Sequence, residues 1–346
     1  MRVIIQIPCF NEEGFLTATL HDLPRKLQGV DEVLWLVVDD GSSDATVQVS
    51  VQGGVDYVIS HTHNLGLARA FQSGLEACIL LGADIIVNTD ADNQYNAADI
   101  QKLIDPILKS EADYVVGARP ISEIDHFSPV KKWIQKVGSS LVSKLSNVNI
   151  KDTTSGFRAM NRKAALQLNV FNDYTYTLET LIQSGQLKLA TVFVPIRVNK
   201  QTRPSRLISS SYNYIRRSAA IIFRSFLAYH PLKIFMTSGT VAILAAVLIG
   251  IRFLVFLFRG EGEGHIQSLI LTVILFIVGI SAWMFGMLAD LISVNRQLLE
   301  KGMQRLKRME AHIFTTSRKL PDLTDAKWVF MVGENKGNDF SNESGR

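Results

Sequence analysis

The chain has 346 residues, with 36 Lys and Arg against 32 Asp and Glu and a formal net charge of +4. At 47% hydrophobic residues and a mean hydropathy of +0.16, it is more apolar than an ordinary soluble protein and long enough for one large domain or two smaller ones. Its two cysteines, Cys9 and Cys78, sit in apolar runs, which excludes a disulfide framework and points to a reducing compartment.

The chain opens straight into a strand-like "VIIQI" (3–7) with no signal-peptide pattern ahead of it, so the first ~230 residues are expected in the cytoplasm. "EEGFLTATLHDLPRKL" places Phe15, Leu16, Leu20, Leu23 and Leu27 at helical spacing. "VLWLVVD" (33–39) reads as a fully buried strand, followed by a helix capped by Ser42 or Ser43. "VDYVI" (55–59) is a strand, residues 66–82 a helix and "ADIIVNT" a strand. "AADIQKLIDPIL" is a helix and "ADYVVGA" (112–118) a fifth strand. This alternation predicts an α/β domain with a mostly parallel sheet covered on both faces.

Ligands of such sheets bind beyond the carboxyl ends of the strands. There the chain places "PCFNEE", "DDGSSD", "HTHNLG", "DADNQ" and "ARP", one polar cluster after each strand. Further on, "SPVKKWIQKVGSSLVSKL" reads as an amphipathic helix, "DTTSGFRAMNRKAALQL" as a loop feeding a helix and "LKLATVFVPIRV" as a late strand.

Two long apolar runs follow. Residues 234–251 are 18 positions without a charge, and residues 266–289 are 24. Each approaches the roughly 20 residues that cross a ~30 Å hydrocarbon core. Eight basic and no acidic residues lie between 197 and 233, and seven basic against two acidic between 296 and 319. That asymmetry predicts a transmembrane hairpin with both ends in the cytoplasm, the bacterial inner membrane being the expected location. Arg252, inside the first span, is read as snorkelling to the outer interface. Residues 209–231 mix aromatics with Arg and read as an amphipathic helix on the membrane surface. The expected organisation is a catalytic domain over 1–208, this juxtamembrane helix, spans at 232–258 and 266–292, and a basic helix with a polar tail over 293–346. Basic residues clustered beside the spans fit anionic lipid as partner, not nucleic acid.

The chemistry centres on "NTDADNQY". Asp90 and Asp92 are two residues apart, so in extended backbone both point to one side. Two like charges at a strand end are tolerated when a hard cation such as Mg²⁺ or Mn²⁺ lies between them. Such ions take a few carboxylate oxygens and complete their shell with water and phosphate. Gln94 is a candidate further ligand.

"IPCFNEE", "VVDDGSSDAT", "NLGLARAFQSGLEAC", "NTDADNQY" and "SGFRAMNR", in this order, resemble the inverting family 2 glycosyltransferases, whose GT-A fold is Rossmann-like. With the two spans, the chain is similar to the polyprenyl-phosphate branch that includes dolichol-phosphate mannose synthases. The resemblance implies a nucleotide-sugar donor, a Mg²⁺ or Mn²⁺ cofactor and a polyprenyl phosphate acceptor. By position, Pro8, Phe10, Asn11 and Glu12 would line the ribose and base, Asp39 would accept from the base, and Asp40 would support the ribose. Asp90 and Asp92, with Gln94 nearby, would hold the metal on the diphosphate. Arg119, Ser155 and Arg158 would hold the acceptor phosphate, Arg158 acting in catalysis.

One departure matters. Many members of the family it resembles carry an Arg-x-x-Gly-x-Ser-Lys type of loop after the last strand, where this chain has "KQTRPSRL" (200–207). Arg203 and Arg206 keep the charge there for the donor diphosphate, without the glycine.

A phosphate acceptor, largely dianionic above pH ~6, needs no general base. A hydroxyl acceptor on a lipid-linked glycan would need one, and Asp152 or Glu179 would be the candidates. Two spans are too few for a sugar pore, and no Gln-x-x-Arg-Trp motif is present, which argues against polymer export. A reading of another class is a catalytically silent GT-A scaffold on the membrane. The donor base, the sugar, the lipid length and homo-oligomer formation stay open.

Overall fold

A computed structural model describes residues 1–120, 152–170, 175–199, 231–260, 266–317 and 326–331, with positions 220, 223, 224, 227 and 323. The chain divides into two compact units, 1–221 with 304–346, and 222–303.

The first unit alternates as the sequence predicts. Strands β1 (Arg2–Cys9), β2 (Glu32–Asp39), β3 (Tyr57–Ser60), β4 (Ile85–Asn88) and β5 (Tyr114–Ala118) are separated by helices α1 (Glu13–Asp22), α2 (Thr46–Gln52), α3 (Leu67–Leu80) and α4 (Ile100–Leu108). The apolar runs of β1 and β2 are buried on both faces: Val3, Ile4, Ile5, Leu36 and Val37 are all 0% exposed. A strand covered on both sides has no polar face to alternate with, so it reads as a continuous apolar run. Burying each such side chain contributes about 1.5–3 kcal/mol.

After β5 come β6 (Arg158–Asn161), α5 (Arg162–Gln167), α6 (Tyr176–Gln186), β7 (Thr191–Pro195) and β8 (Lys327–Met331). The eight strands form one sheet in the order β7-β5-β6-β4-β1-β2-β3-β8. β1 pairs parallel with β2 and β4, β2 with β3, and β5 with β7. β6 runs antiparallel between β4 and β5. The carboxyl ends of β1–β5 and β7, and the amino end of β6, therefore share one rim.

Two strands correct the sequence reading. "RAMN", expected within a loop feeding a helix, is β6. Its residues carry no strong strand preference, and pairing on both edges overrides their propensity. β8 lies in the segment expected to be helix and polar tail. It pairs antiparallel with β3, and Trp328 meets Tyr57 edge-on at 6.1 Å. A strand whose partner lies far earlier in the chain leaves no local signal.

In the second unit, α7 (Pro231–Phe258) precedes the start of α8 (Ile266–Ser317), which at 52 residues runs on past the expected end at 292. Both are long and apolar enough to cross a membrane, and their most apolar windows are only 6% and 11% buried. Helices of a soluble core would be mostly covered. The two pack through small residues. A methyl on Gly279 would stand 2.5 Å from Ile243 Cγ1 and 2.8 Å from the Gly239 carbonyl, and Trp283 Nε1 donates to the Met236 carbonyl at 3.3 Å. Close backbone approach of this kind is how apolar helices associate where lipid removes the hydrophobic drive. Gly279→Leu is expected to cost about 1–3 kcal/mol by overpacking, read as a lower melting temperature of the detergent-solubilised protein.

Candidate active site

The rim begins where β1 meets β2. Pro8 ends buried, and Phe10 presents an aromatic face that is 39% exposed. Asn11 adopts φ 54, a left-handed conformation that asparagine tolerates better than most residues. Its Oδ1 accepts from the Ser43 N–H at 2.9 Å, and its own N–H donates to Ser42 Oγ at 2.9 Å. The Glu12 N–H donates to Thr46 Oγ1 at 2.9 Å. Ser42 and Ser43 thus tie two rim loops together and do not cap α2 as expected. Asp44 Oδ1 takes the Thr46 N–H at the start of that helix instead, at 3.0 Å.

Asp39 and Asp40 are both buried and differ in their partners. Asp39 accepts from the Ser42 N–H at 3.1 Å and from Ser60 Oγ at 2.6 Å. Asp40 faces the loop after β3: it accepts from His61 Nδ1 at 2.7 Å and from the N–H groups of Leu65 and Gly66 at 2.9 and 2.8 Å. His61 Nε2 in turn meets Ser73 Oγ of α3 at 2.9 Å. Both Asp40 oxygens are therefore occupied in holding residues 61–66 against the rim. Gly41 is required beside it, since its φ is +69 and a Cβ there would lie 2.5 Å from the His63 carbonyl carbon. The sequence reading noted the "HTHNLG" cluster but gave His61 no role.

Asp90 and Asp92 follow β4, flanking Ala91, which is 4% exposed and packs into the core. Thr19 Oγ1 of α1 donates to the Ala91 carbonyl at 2.7 Å, pinning the turn. Both acids are half-buried. The Gln94 N–H donates to Asp92 Oδ1 at 3.2 Å. Asp90 lies against Gly156, where an added Cβ would meet its two oxygens at 2.6 and 2.9 Å. Tyr95, 4% exposed, favours the ionised form of Asp90 and accepts the Gly156 N–H at 2.9 Å. Its ring stacks on Phe157 with centroids 5.0 Å apart. The Gly156 carbonyl accepts from Asn88 Nδ2 at 2.8 Å. The sequence reading missed this role of Tyr95, although it is the last residue of the "NTDADNQY" motif.

The chain after β7 borders the same turn. The Asn199 N–H donates to the Gln94 carbonyl at 2.9 Å, and Arg197 binds Asp99 through its backbone N–H, Nε and Nη2. Burial works against ionising Asp99, but hydrogen bonds from Arg197 and Lys102 outweigh it and hold the carboxyl at about 2. Residue 199 leads directly into the basic stretch 200–207. Arg203 and Arg206 lie outside the described residues, as does the helix expected at 209–231 apart from a few positions.

Beside this chain, just past the end of β5 that pairs with β7, Arg119 is 18% exposed and grips the fully buried Asp152 through Nε at 2.8 Å and Nη2 at 3.2 Å. Burial alone would raise the Asp152 carboxyl. Arg119 and the Thr154 hydrogen bonds reverse that and hold it below the ordinary range. Such a carboxylate is a poor base. Glu179, the other carboxylate considered for that role, is half-buried on α6, where its Oε1 accepts from Gln183 Nε2 at 3.5 Å.

Ser155 and Arg158, expected at the acceptor phosphate, are each 0% exposed. Arg158 opens β6, whose pairing on both edges turns its side chain inward. There Nε donates to the Ser155 carbonyl at 2.7 Å, and Nη1 to Tyr114 OH and Thr180 Oγ1 at 2.5 and 2.6 Å. Nη2 is buried with no hydrogen-bond partner. The guanidinium stands between the Tyr114 and Tyr176 rings, 5.8 and 5.6 Å from their centroids. The structure thus places Arg158 beneath the rim as a buried cation.

The donor set suits a small divalent ion. Among the described residues no third acidic, His or Cys side chain joins Asp90 and Asp92. Two carboxylates fit a Mg²⁺ or Mn²⁺ ion that draws its other oxygens from phosphate and water. Electrostatics agree. Asp90 keeps some solvent access, but the protein massed around it removes most of its hydration. That burial, with the charge of Asp92, pushes its pKa up to about 7 against the opposing pull of Arg119, Tyr95 and Arg158. A cation binding there displaces a proton. Apparent Mn²⁺ affinity is expected to rise about 10-fold per pH unit below 7 and to level off above it, as a Mn²⁺ titration at pH 6, 7 and 8 will measure. Without the ion the sign for stability is opposite: a carboxyl raised on folding makes the fold less stable as pH climbs from about 4 to about 7.

Comparison with known proteins gives a consistent result. Residues 4–168 match the family model described as glycosyl transferase family 2. The chain is 31% identical over 202 residues to an uncharacterised protein of Methanocaldococcus jannaschii, covering 57% of this chain and 81% of that one. It is also 31% identical over 220 residues to the UDP-N-acetylglucosamine–dolichyl-phosphate N-acetylglucosaminyltransferase of Methanococcus voltae, covering 56% and 84%. To the undecaprenyl-phosphate mannosyltransferase of Micrococcus luteus it is 29% identical over 206 residues, covering 57% and 83%. Among solved structures, glucosyl-3-phosphoglycerate synthase from Mycobacterium tuberculosis, in complex with Mn²⁺, UDP and glucosyl-3-phosphoglycerate, superposes with a TM-score of 0.50. That match has 18% identity and covers 66% of this chain and 79% of that one, which is a likeness of fold.

Proposed function

The chain belongs to glycosyl transferase family 2, and on that premise we propose that it moves one sugar, with inversion, from a nucleotide-sugar donor to a polyprenyl phosphate at the cytoplasmic face of a membrane. The observation that carries the acceptor assignment is the Arg119–Asp152 pair. The carboxylate on the acceptor side of the rim is committed to an arginine, so this side offers a cation and not a base. A phosphate acceptor, already largely ionised at neutral pH, needs only that. The names of the M. voltae and M. luteus relatives support the same acceptor chemistry.

In the proposed reaction an acceptor phosphate oxygen forms its bond to the anomeric carbon as the bond from that carbon to the diphosphate oxygen breaks. The nucleoside diphosphate leaves with the electron pair. Phe10 offers an aromatic face to the base, and Pro8, Asn11 and Glu12 shape the floor beside it. Asp39 accepts from the base, while Asp40 acts by holding residues 61–66 in place. Asp90 and Asp92 present hard oxygens to a divalent ion, which when bound supplies Lewis-acid stabilisation to the departing diphosphate. Arg119 meets the acceptor phosphate at the rim. Ser155 and Arg158, being buried, support the loop that carries it, and Arg203 and Arg206 serve the donor diphosphate.

The two apolar helices fit a lipid acceptor. Drawing a polyprenyl tail into water costs about 0.8 kcal/mol per CH₂, so the enzyme must meet the phosphate where the tail stays in the bilayer. Purified protein with Mn²⁺, polyprenyl phosphate and a panel of UDP- and GDP-sugars tests this. A lipid product that releases its sugar in mild acid supports the sugar phosphodiester. An acid-stable glycoside would overturn it in favour of a hydroxyl acceptor.

A further inference from the structure

We propose that Tyr95 and Gly156 are positioning residues that fix the Asp90 carboxylate in the rotamer that binds the divalent ion, an inference that rests on the metal-binding reading of Asp90. Two residues meet at this carboxylate. The Tyr95 hydroxyl favours the charged form of this carboxyl while accepting the Gly156 N–H at 2.9 Å. With its lone pair taken by the backbone, the hydroxyl has its proton left to turn toward the acid. Gly156 supplies a bare Cα surface, since a methyl there would come within 2.6 and 2.9 Å of the two Asp90 oxygens and 2.8 Å of Tyr176 OH.

Gly156 is itself held from the other side. Its carbonyl accepts from Asn88 Nδ2, and Asn88 Oδ1 accepts from Gln6 Nε2 at 2.9 Å. The Asn88 amide also reaches Tyr176 OH at 2.9 Å. Tyr95 cannot swing away, because its ring is stacked flat on Phe157 and its backbone bridges to Val198. Asp90 is therefore seated in a frame built from β1, β4 and the entry to β6. Asp92 has the Gln94 N–H as its described partner. The two acids differ in kind: Asp90 is a preset ligand and Asp92 an adjustable one. Groups that orient a metal ligand from behind typically govern metal affinity by 10–100-fold.

The test is Mn²⁺ binding by full-length, detergent-solubilised protein, followed by electron paramagnetic resonance of free Mn²⁺ with UDP and, separately, GDP present. Tyr95→Phe keeps the ring stack and removes only the hydroxyl. It is expected to weaken Mn²⁺ binding about 10–100-fold and to raise the Mn²⁺ concentration that half-saturates transfer, with kcat at saturating Mn²⁺ falling less. Gly156→Ala, which pushes the carboxylate off its seat, is expected to weaken binding at least as much. If Tyr95→Phe binds Mn²⁺ as tightly as the wild type, whatever its melting temperature, the hydroxyl is only structural and the proposal is overturned. Asp90→Asn in the same assay separates the two ideas: unaltered Mn²⁺ binding there removes the metal site itself, whereas weakened binding there with a normal Tyr95→Phe protein removes only the positioning role.

Discussion

Asp90→Asn is expected to reduce kcat/KM for transfer by about 10³-fold or more, equivalent to about 4 kcal/mol of transition-state stabilisation. The substitution keeps the volume and the Gly156 contact but removes the charge. Asp90 is the acid whose ionisation the site works hardest against, through burial and the neighbouring Asp92. A residue held there at a cost to the fold has a use for its charge. The melting temperature should hold or rise, because a neutral amide removes that repulsion. Loss of activity with unimpaired stability is the expected pair of results, read by radiolabelled sugar transfer and thermal unfolding. Full transfer in this variant would contradict the metal-binding role of Asp90, whereas absence of transfer in the wild type as well would favour the silent-scaffold reading.

Arg119→Ala is expected to cost about 3–5 kcal/mol of stability, because it strands a fully buried Asp152 without its counter-charge. The sign with pH follows from the depressed Asp152 carboxyl. The stability that the pair contributes is present above pH ~4 and is lost as the pH falls below it. The double variant Arg119→Met with Asp152→Asn should recover most of the lost stability, since replacing both partners of a buried pair is often close to neutral. It should not recover transfer, because the acceptor phosphate has lost its cation. Recovery of both properties together would reduce Arg119 to a purely structural residue.

Much of this arrangement was legible in the residues. Five apolar runs each ending in a polar cluster give the parallel half of the sheet and the rim directly, because period and burial are local properties. Asp90 and Asp92 stand out for a similar reason: a pair of acids at the end of "IIVN" is an electrostatic anomaly that calls for a cation. What stayed hidden depends on partners distant in sequence. β6 exists because β4 and β5 flank it, and β8 because β3 leaves an edge. Arg158 reads as an acceptor-phosphate ligand in "SGFRAMNR", whereas in the fold it lies buried between Tyr114 and Tyr176. Asp40 looks like a ligand group until His61, Leu65 and Gly66 are seen to fill its acceptor sites. Tyr95 carries no charge to draw notice, and its role shows only when Gly156 and Asp90 come together.

The measurement that bears most directly on the account is transfer to polyprenyl phosphate by wild-type protein stripped of divalent ions with excess chelator, then given Mn²⁺ back stepwise. The account predicts no product in chelator and a return of transfer that follows occupancy of the Asp90–Asp92 site, with the Mn²⁺ requirement easing as pH rises to about 7. Transfer at the full rate in chelator would contradict it.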